Sequence, residues 1–541
     1  MIITADMMKD DIFEKGSRYQ IGGVPGHRME EHLVSLKCII GRYISRGAGV
    51  ILQLVDIQKF FDKERLGTVM TSLARAEVNK KAYRCWYKLN ETTVFRVATA
   101  AGTTKSAKAH DLVPQGSGGA ARASGLDIGL GLEKHFTGST DEVHYGRVQC
   151  NPQAFQDDIA RLAEGIESTN YGNVKISQML KFKGLECHPT KTTFITIGTK
   201  AFRKEIEEKL KSNPIIFGSF QCSPKFEDMY LGDKISAQGL EASVEATIAQ
   251  RQGKIRGEMY EMKAIIEDFR LQAVGGMAGA IDVWEMGISP KLLANSGSWV
   301  GAGKPAFRQL NQLQDSYLRM VYSCPPSTPI PSLRALAGVW DMEHKVALEK
   351  ICLVSTILHC RDKDNYAREL LEEELLHGWA GITQEVKAIC KEMKLPDATQ
   401  EYVSREQAKE EIEFHNHCTV KKEMEGKSKC DTIAKQDLRK MQEFMKEKSL
   451  ENSRIEVLWL TSMIDTRTTM KGKYKHYSCP HCREGINEGV LESPHHLIQC
   501  EAYREMRKDM DPEGNLQDRA RYLQRVIARR KELESQLIKD K

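Results

Sequence analysis

The chain has 541 residues, enough for more than one hydrophobic core, and its 41% hydrophobic and 28% charged residues exclude a long disordered tract. A net charge of +5, from 79 basic and 74 acidic side chains, excludes a uniformly basic exterior, so any nucleic-acid surface has to be a local groove. The 14 scattered cysteines predict a reducing, intracellular setting, and no run approaches the roughly 18 apolar residues of a membrane-spanning helix.

A glycine-rich turn at Gly22, Gly23 and Gly26 precedes a predicted helix from Met29 to Ile40. The dense apolar run Val50–Val55 stops at Asp56, as a buried strand bounded by a turn would. Strands are also predicted at Thr92–Val97, Arg147–Cys150, Ile159–Leu162 and Thr193–Ile197, with helices at Lys63–Lys81 and Tyr171–Lys183. This mixture predicts an α+β domain ending near residue 236. Beyond about 240 helices dominate: Leu348, Ile351, Cys352 and Leu358 recur at near-helical spacing, and Ser404 with Gln407 forms a capping box for a highly charged helix. Residues 404–455 read as a solvated helix pair or a linker.

Three acidic residues sit where apolar strands stop. Asp56 ends the first strand, and the adjacent Asp157 and Asp158 lie between Phe155-Gln156 and Ile159. Neighbouring carboxylates repel, so they are comfortable mainly when they share a cation, and hard oxygen donors suit Mg²⁺. Two such ions are what phosphoryl transfer to an alcohol uses.

Read together, these segments resemble the reverse transcriptases of non-LTR retrotransposons. Gln20-Ile21-Gly22-Gly23-Val24-Pro25-Gly26-His27-Arg28-Met29-Glu30 resembles the glycine-rich fingers segment, and Leu54-Val55-Asp56-Ile57-Gln58-Lys59-Phe60-Phe61-Asp62 resembles the first catalytic motif. Val113-Pro114-Gln115-Gly116-Ser117 is similar to the dNTP-side loop, and Phe155-Gln156-Asp157-Asp158 to the aromatic-x-Asp-Asp turn. Gly184-Leu185-Glu186-Cys187-His188-Pro189-Thr190-Lys191-Thr192 and Tyr230-Leu231-Gly232 resemble the two motifs before the thumb.

The resemblance implies a magnesium-dependent RNA-directed DNA polymerase with RNA template, DNA primer or target and dNTPs as partners, active in cytoplasm and nucleus. Asp56, Asp157 and Asp158 would hold two Mg²⁺ ions, and Lys191 would protonate the pyrophosphate. Ile57, Phe61, Gln115 and Gly116 would line the nucleotide site, where the Phe61 ring would exclude a 2′-hydroxyl. Tyr230, Leu231 and Gly232 would hold the primer end. The implied domains are residual fingers (1–47), palm (48–235), helical thumb (236–330), helical connector (331–470), zinc knuckle (471–505) and C-terminal helix (506–541).

Against the family pattern, Val24 stands where an arginine is expected, the basic fingers region before Gln20 is nearly absent, and an N-terminal endonuclease is missing, as in a truncated copy. The stretch Gly118-Gly119-Ala120-Ala121-Arg122-Ala123-Ser124-Gly125 replaces a proline and an apolar helix. Glycine costs about 1 kcal/mol in a helix interior, so this helix is expected to start late or pack loosely. These departures favour a decayed nucleic-acid-binding remnant; the intact aspartates favour an active enzyme.

Near the C-terminus, Cys479-x2-Cys482 followed by His495, His496 and Cys500 has the spacing of a tetrahedral zinc site. It also resembles the terminal zinc knuckle of the same retroelements. Family spacing favours His495 as the fourth ligand; the four-residue offset of His496 from Cys500 puts those two on one helical face. Residues 474–505 hold few large apolar side chains, so zinc is expected to supply most of this module's stability. Arg525, Arg529, Arg530 and Lys531 read as a solvated helix face or a phosphate track.

Overall fold

The computed structural model describes residues 6–24, 26–96, 98–100, 102–108, 113, 119–267, 276–361, 364–427, 430, 433, 442–446, 450–464, 479, 493–508, 512 and 516–539. The chain divides into two compact units, one made of Met1–Thr247, Asn295–Gly303 and Ala347–Ala408, the other of Ile248–Ala294, Lys304–Val346 and Lys409–Lys541. The first is mixed α+β and the second is helical among the described residues.

In chain order the first unit contains α1 (Met29–Ser45), β1 (Gly49–Asp56), α2 (Leu66–Arg75), α3 (Ala120–Phe136), β2 (Gln153–Phe155), β3 (Asp158–Ala163), α4 (Ile166–Phe182), β4 (Thr193–Gly198), α5 (Lys200–Leu210), β5 (Ser223–Lys225), β6 (Glu227–Tyr230) and β7 (Asp233–Ser236). Five strands form one sheet in the order β5-β4-β1-β3-β2, with β1 antiparallel to both β3 and β4 and β5 parallel to β4. The central position of β1 explains its unbroken apolar run: every residue from Gly49 to Val55 is buried, and only Asp56 is half-exposed. Ile51 and Val55 share a core with Ile128, Leu132 and Phe136 of α3, Ile176, Met179 and Leu180 of α4, and Ile206 of α5. The β6–β7 hairpin forms a separate two-stranded ribbon that closes the α+β region at Ser236.

Two predicted helices differ from the structure, and the strand predicted at Thr92–Val97 forms only at Val94–Phe95. The helix expected over Lys63–Lys81 is broken: α2 ends at Arg75, Glu77 takes φ +50°, and a new helix starts at Lys80. Asn79 causes the restart, because its side chain accepts from the amides of Lys81 and Ala82 and so caps the new helix. The glycine-rich helix is neither late nor loose. It begins at Ala120, after Gly119 at φ +84°, and runs 17 residues. Its glycines are close-approach positions: a Cβ at Gly125 would lie 2.9 Å from the Gly22 carbonyl oxygen, and one at Gly129 would lie 2.9 Å from the Cβ atoms of both Gln20 and Ser17. Gly129→Ala is therefore expected to destabilise by about 1–3 kcal/mol through overpacking, although alanine is the better helix former. Chemical denaturation checks this, and a stabilised variant would refute it.

The second unit is built on α6 (Gly276–Asp282), α7 (Lys304–Tyr322), α8 (Ile330–Ala337), α9 (Leu450–Leu460), α10 (Pro494–Gln499) and α11 (Leu516–Lys539). Trp284 packs on Tyr317 with ring centres 4.9 Å apart, and the Tyr317 hydroxyl donates to the Ala280 carbonyl at 2.6 Å. In the first unit, one of the two bonds of the box expected at Ser404 forms, its hydroxyl accepting from the Gln407 amide at 3.1 Å.

Candidate catalytic cleft and metal centre

The register of β1 and β3 sets Asp56 directly opposite Asp158 at the end of the sheet. Like charges in that cross-strand position repel. Asp157 precedes Asp158 in the tight β2–β3 turn, where Gln156 takes φ +61°, a conformation that a side chain disfavours and that tends to persist where function requires it. Burial raises the Asp158 carboxyl to about 6, with Asp157 and Asp56 adding to the rise. Burial and then Asp56 also raise Asp157.

The segment Gly184–Thr192 runs beside this strand end. The Gln58 amide donates to the Glu186 carbonyl at 2.8 Å and the His188 amide to the Asp56 carbonyl at 2.9 Å. That pairing delivers Lys191, whose side chain is 62% exposed, to 3.6 Å from the Asp56 carboxylate. A cleft of about 270 Å³ opens here, lined by Asp56, Asp158, Lys191 and Tyr230 together with Thr190, Lys225 and Asp228. The Tyr230 hydroxyl is buried without a hydrogen-bond partner among the described residues. Burial and the Asp158 charge raise its pKa.

Leu231 at φ +49° and Gly232 at φ +83° form the β6–β7 turn. The Asn295 side-chain amide donates to the Leu231 carbonyl at 2.8 Å, and the buried Lys37 ammonium joins Asp233 at 2.7 Å and the Ser298 hydroxyl at 2.9 Å. Two distant segments, α1 through Lys37 and Asn295–Ser298, thus fix one turn at the cleft.

Other marked residues fall differently. Ile57 is 3% exposed and belongs to the sheet's core, which leaves only its main chain to meet a substrate. Phe60 is core, whereas Phe61 is half-buried with its ring centre 5.0 Å from that of Phe60. Gln115 and Gly116 lie outside the described residues. Lys225 and Asp228 went unmarked in the sequence, since Ser223–Lys225 has neither an apolar run nor a motif; only its parallel pairing with β4 brings it to the cleft.

Three carboxylates thus gather at the strand ends, Asp158 held near pH 6 by burial first and by its neighbours' charge second, with Lys191 3.6 Å from Asp56; oxygen donors of this kind are what a divalent cation takes. A carboxyl with a raised pKa keeps its proton below that value, so cation binding is expected to strengthen as pH rises through 6 and to release protons there. Calorimetric titration with Mn²⁺ in buffers of different ionisation enthalpy should show release at pH 6 that fades by about pH 8 and is lost in Asp158→Asn. Pairwise coupling makes this a property of the triad. Equal release at both pH values would exclude it.

In the second unit, Cys479, His496 and Cys500 place their ligand atoms within 4.8 Å of one another. The two thiol sulfurs are 3.8 Å apart, and two thiolates each about 2.3 Å from a tetrahedral zinc would be separated by about that distance. The Ser493 hydroxyl accepts from the His496 amide at 3.1 Å and caps α10, whose turn sets His496 and Cys500 on one face. Among the described residues His496 is the histidine that joins the cluster; the His495 side chain and all of Cys482 lie outside them. These donors could bind a metal such as zinc.

The expectation of a nearly coreless module is corrected. Cys479, Leu497, Ile498, Cys500 and Tyr503 pack with Tyr522, Leu523 and Val526 of α11. Arg530 is likewise buried, whereas Arg525, Arg529 and Lys531 are exposed on α11, with Arg529 paired to Glu532 at 2.9 Å. The purified chain is expected to carry about one equivalent of zinc, falling below half in Cys500→Ser, while α11 stays docked. Metal analysis with protease sensitivity reads both, and equal zinc in the two proteins would exclude the site.

No protein-family profile matches the chain, and no curated protein matches it. Solved structures do, among them a telomerase from Candida albicans in complex with a TWJ fragment of telomeric RNA, at 10% identity and a TM-score of 0.33. The overlap covers 72% of this chain and 54% of that one, so the chain spans about half the length of that structure. A superposition this loose carries no functional conclusion.

Proposed function

We propose that the chain is an RNA-directed DNA polymerase of a non-LTR retroelement, and the observation that carries this reading is Asp56 paired with Asp158 in an open cleft, with Lys191 3.6 Å from Asp56 and Asp157 next to Asp158 in the turn. Asp56, Asp157 and Asp158 hold the divalent cations. When bound, such ions activate the attacking hydroxyl and neutralise the leaving pyrophosphate. Lys191 donates a proton to that leaving group, which its ammonium at the cleft edge is exposed enough to reach. Phe61, held against Phe60, presents its ring beneath the incoming sugar and selects deoxyribonucleotides by bulk. Tyr230, Leu231 and Gly232 grip the primer end from a turn fixed by two distant segments.

In this reading residues 1–47 are reduced fingers, 48–235 the palm and 236–330 the thumb, with the zinc module at 471–505. A groove of about 710 Å³ in the second unit, with Arg256, Lys263 and Arg319 in its lining, suits a nucleic-acid backbone on that thumb. The competing reading, a decayed remnant, leaned on the glycine-rich stretch and on the reduced fingers, and the close packing at Gly125 answers the first of these.

Primer extension on an RNA template with Mg²⁺ tests the proposal. The wild type is expected to incorporate dNTPs and Asp157→Ala to incorporate none. Equal incorporation by both proteins, or none by either, would end the enzyme reading.

A further inference from the structure

The turn that carries Asp157 and Asp158 is held by a side chain from the other end of the catalytic region. Gln20 is 2% exposed, and its amide nitrogen donates to the Gln156 carbonyl at 3.0 Å while its amide oxygen accepts from the Gln156 amide, also at 3.0 Å. The same oxygen accepts from the Gly22 amide at 2.8 Å. Main-chain contacts on either side keep the clamp in register: the Ala154 amide donates to the Tyr19 carbonyl at 2.8 Å, and Gln20 bridges Ala154 in parallel.

We infer that Gln20 is the positioning residue of the metal site, clamping Gln156 in its left-handed conformation so that Asp157 and Asp158 face Asp56. This deepens the polymerase reading and rests on it for the reaction, though not for cation binding. The clamped residue is the strained one: Gln156 at φ +61° has no glycine's freedom, and the Gln20 amide satisfies both of its main-chain polar groups. A primary amide carries its donor and its acceptor on neighbouring atoms and so meets both main-chain groups of one residue at once; glutamate accepts only, and leucine does neither.

The clamp also accounts for the glycines around it. A Cβ at Gly22 would lie 2.5 Å from the Gln156 amide nitrogen, and Gly125 and Gly129 of α3 leave room for the Gln20 stem. Gly22, Gly125 and Gly129 are therefore matched to the clamp.

The test uses the full chain with Gln20→Leu, Gln20→Glu and Gln20→Leu/Gln156→Gly. In the metal-free protein, hydrogen exchange over 153–160 is expected to accelerate in Gln20→Leu, with Mn²⁺ affinity down by roughly 10–100-fold, the usual effect of losing a group that orients metal ligands. The turnover rate for nucleotide addition should fall on the order of 10²-fold with little change in dNTP KM, as a misplaced reacting group would give. Gln20→Glu should fall between, keeping the bond from the Gln156 amide and losing the one to its carbonyl.

Glycine at 156 adopts the positive φ unaided, so the double variant should recover much of the Mn²⁺ affinity and the exchange protection. A role confined to packing would not be rescued there. Loss of affinity with no rescue, or unchanged affinity in Gln20→Leu, would overturn the inference. Should the wild type incorporate no nucleotide while the Mn²⁺ and exchange results hold, the clamp stands and the polymerase reading alone fails.

Discussion

Replacing Asp56 with asparagine is expected to lower nucleotide incorporation by about three orders of magnitude, roughly 4 kcal/mol of transition-state stabilisation, while leaving thermal stability unchanged or slightly raised. The opposite signs come from one cause. Asp56 faces Asp158 across the β1–β3 pair with Asp157 beside it, so neutralising one carboxylate relieves repulsion in the resting protein and removes a cation ligand from the working one. Single-turnover primer extension and a melting curve on the same preparation measure both. An activity loss smaller than tenfold, or a loss matched by a large drop in melting temperature, would mean that Asp56 serves the fold rather than the site.

The largest stability effect is expected at Arg161, whose guanidinium makes two bonds to Glu142, at 3.1 and 3.0 Å, with both side chains fully buried. Arg161→Met strands that carboxylate and should cost about 3–5 kcal/mol, whereas replacing both residues by apolar ones of similar size recovers most of the loss. The pH dependence follows from the sign of the shift. Burial already raises the Glu142 carboxyl against the pull of Arg161, and without the arginine it rises further. A carboxyl whose folded pKa exceeds its unfolded value binds more protons when folded, so stability falls as pH climbs between the two. The deficit of Arg161→Met should therefore be smallest near pH 4 and grow toward neutrality, which urea titrations at several pH values would show. A deficit independent of pH would place the cost in lost packing, including that against Gly172, where a Cβ would lie 2.2 Å from the Arg161 Cζ.

Much of the sheet was legible because its strands are buried by helices and must be apolar. The run before Asp56 and the run after Asp158 announce themselves, and each aspartate is conspicuous as the polar residue where the run stops. What was not legible depends on distance in the chain. Nothing local in Gln20 marks it as the partner of Gln156, and nothing in Asn295 or Lys37 marks either as a support for the Leu231–Gly232 turn. The glycines of α3 were misread for the same reason, since a helix propensity prices the glycine without the neighbour that needs its missing side chain. In the zinc module helical spacing anticipated the His496–Cys500 pair, but the apolar packing on α11 joins residues too far apart in the chain for a local reading.

The three-part construction of the first unit matters most while the protein is being made. Glu31, buried in α1, finds the Arg361 guanidinium at 2.9 Å and the Asn365 amide at 3.1 Å, and Arg361 lies 330 residues downstream. At roughly 5–20 residues per second a ribosome needs about 15–65 s to cover that interval. From residue 236 onward the nascent chain already holds every strand of the sheet and all three aspartates, yet carries a carboxylate destined for burial with those partners still unwritten. A message cut short between residues 236 and 361 would encode an intact-looking catalytic sequence and deliver a chain that cannot finish packing its first long helix.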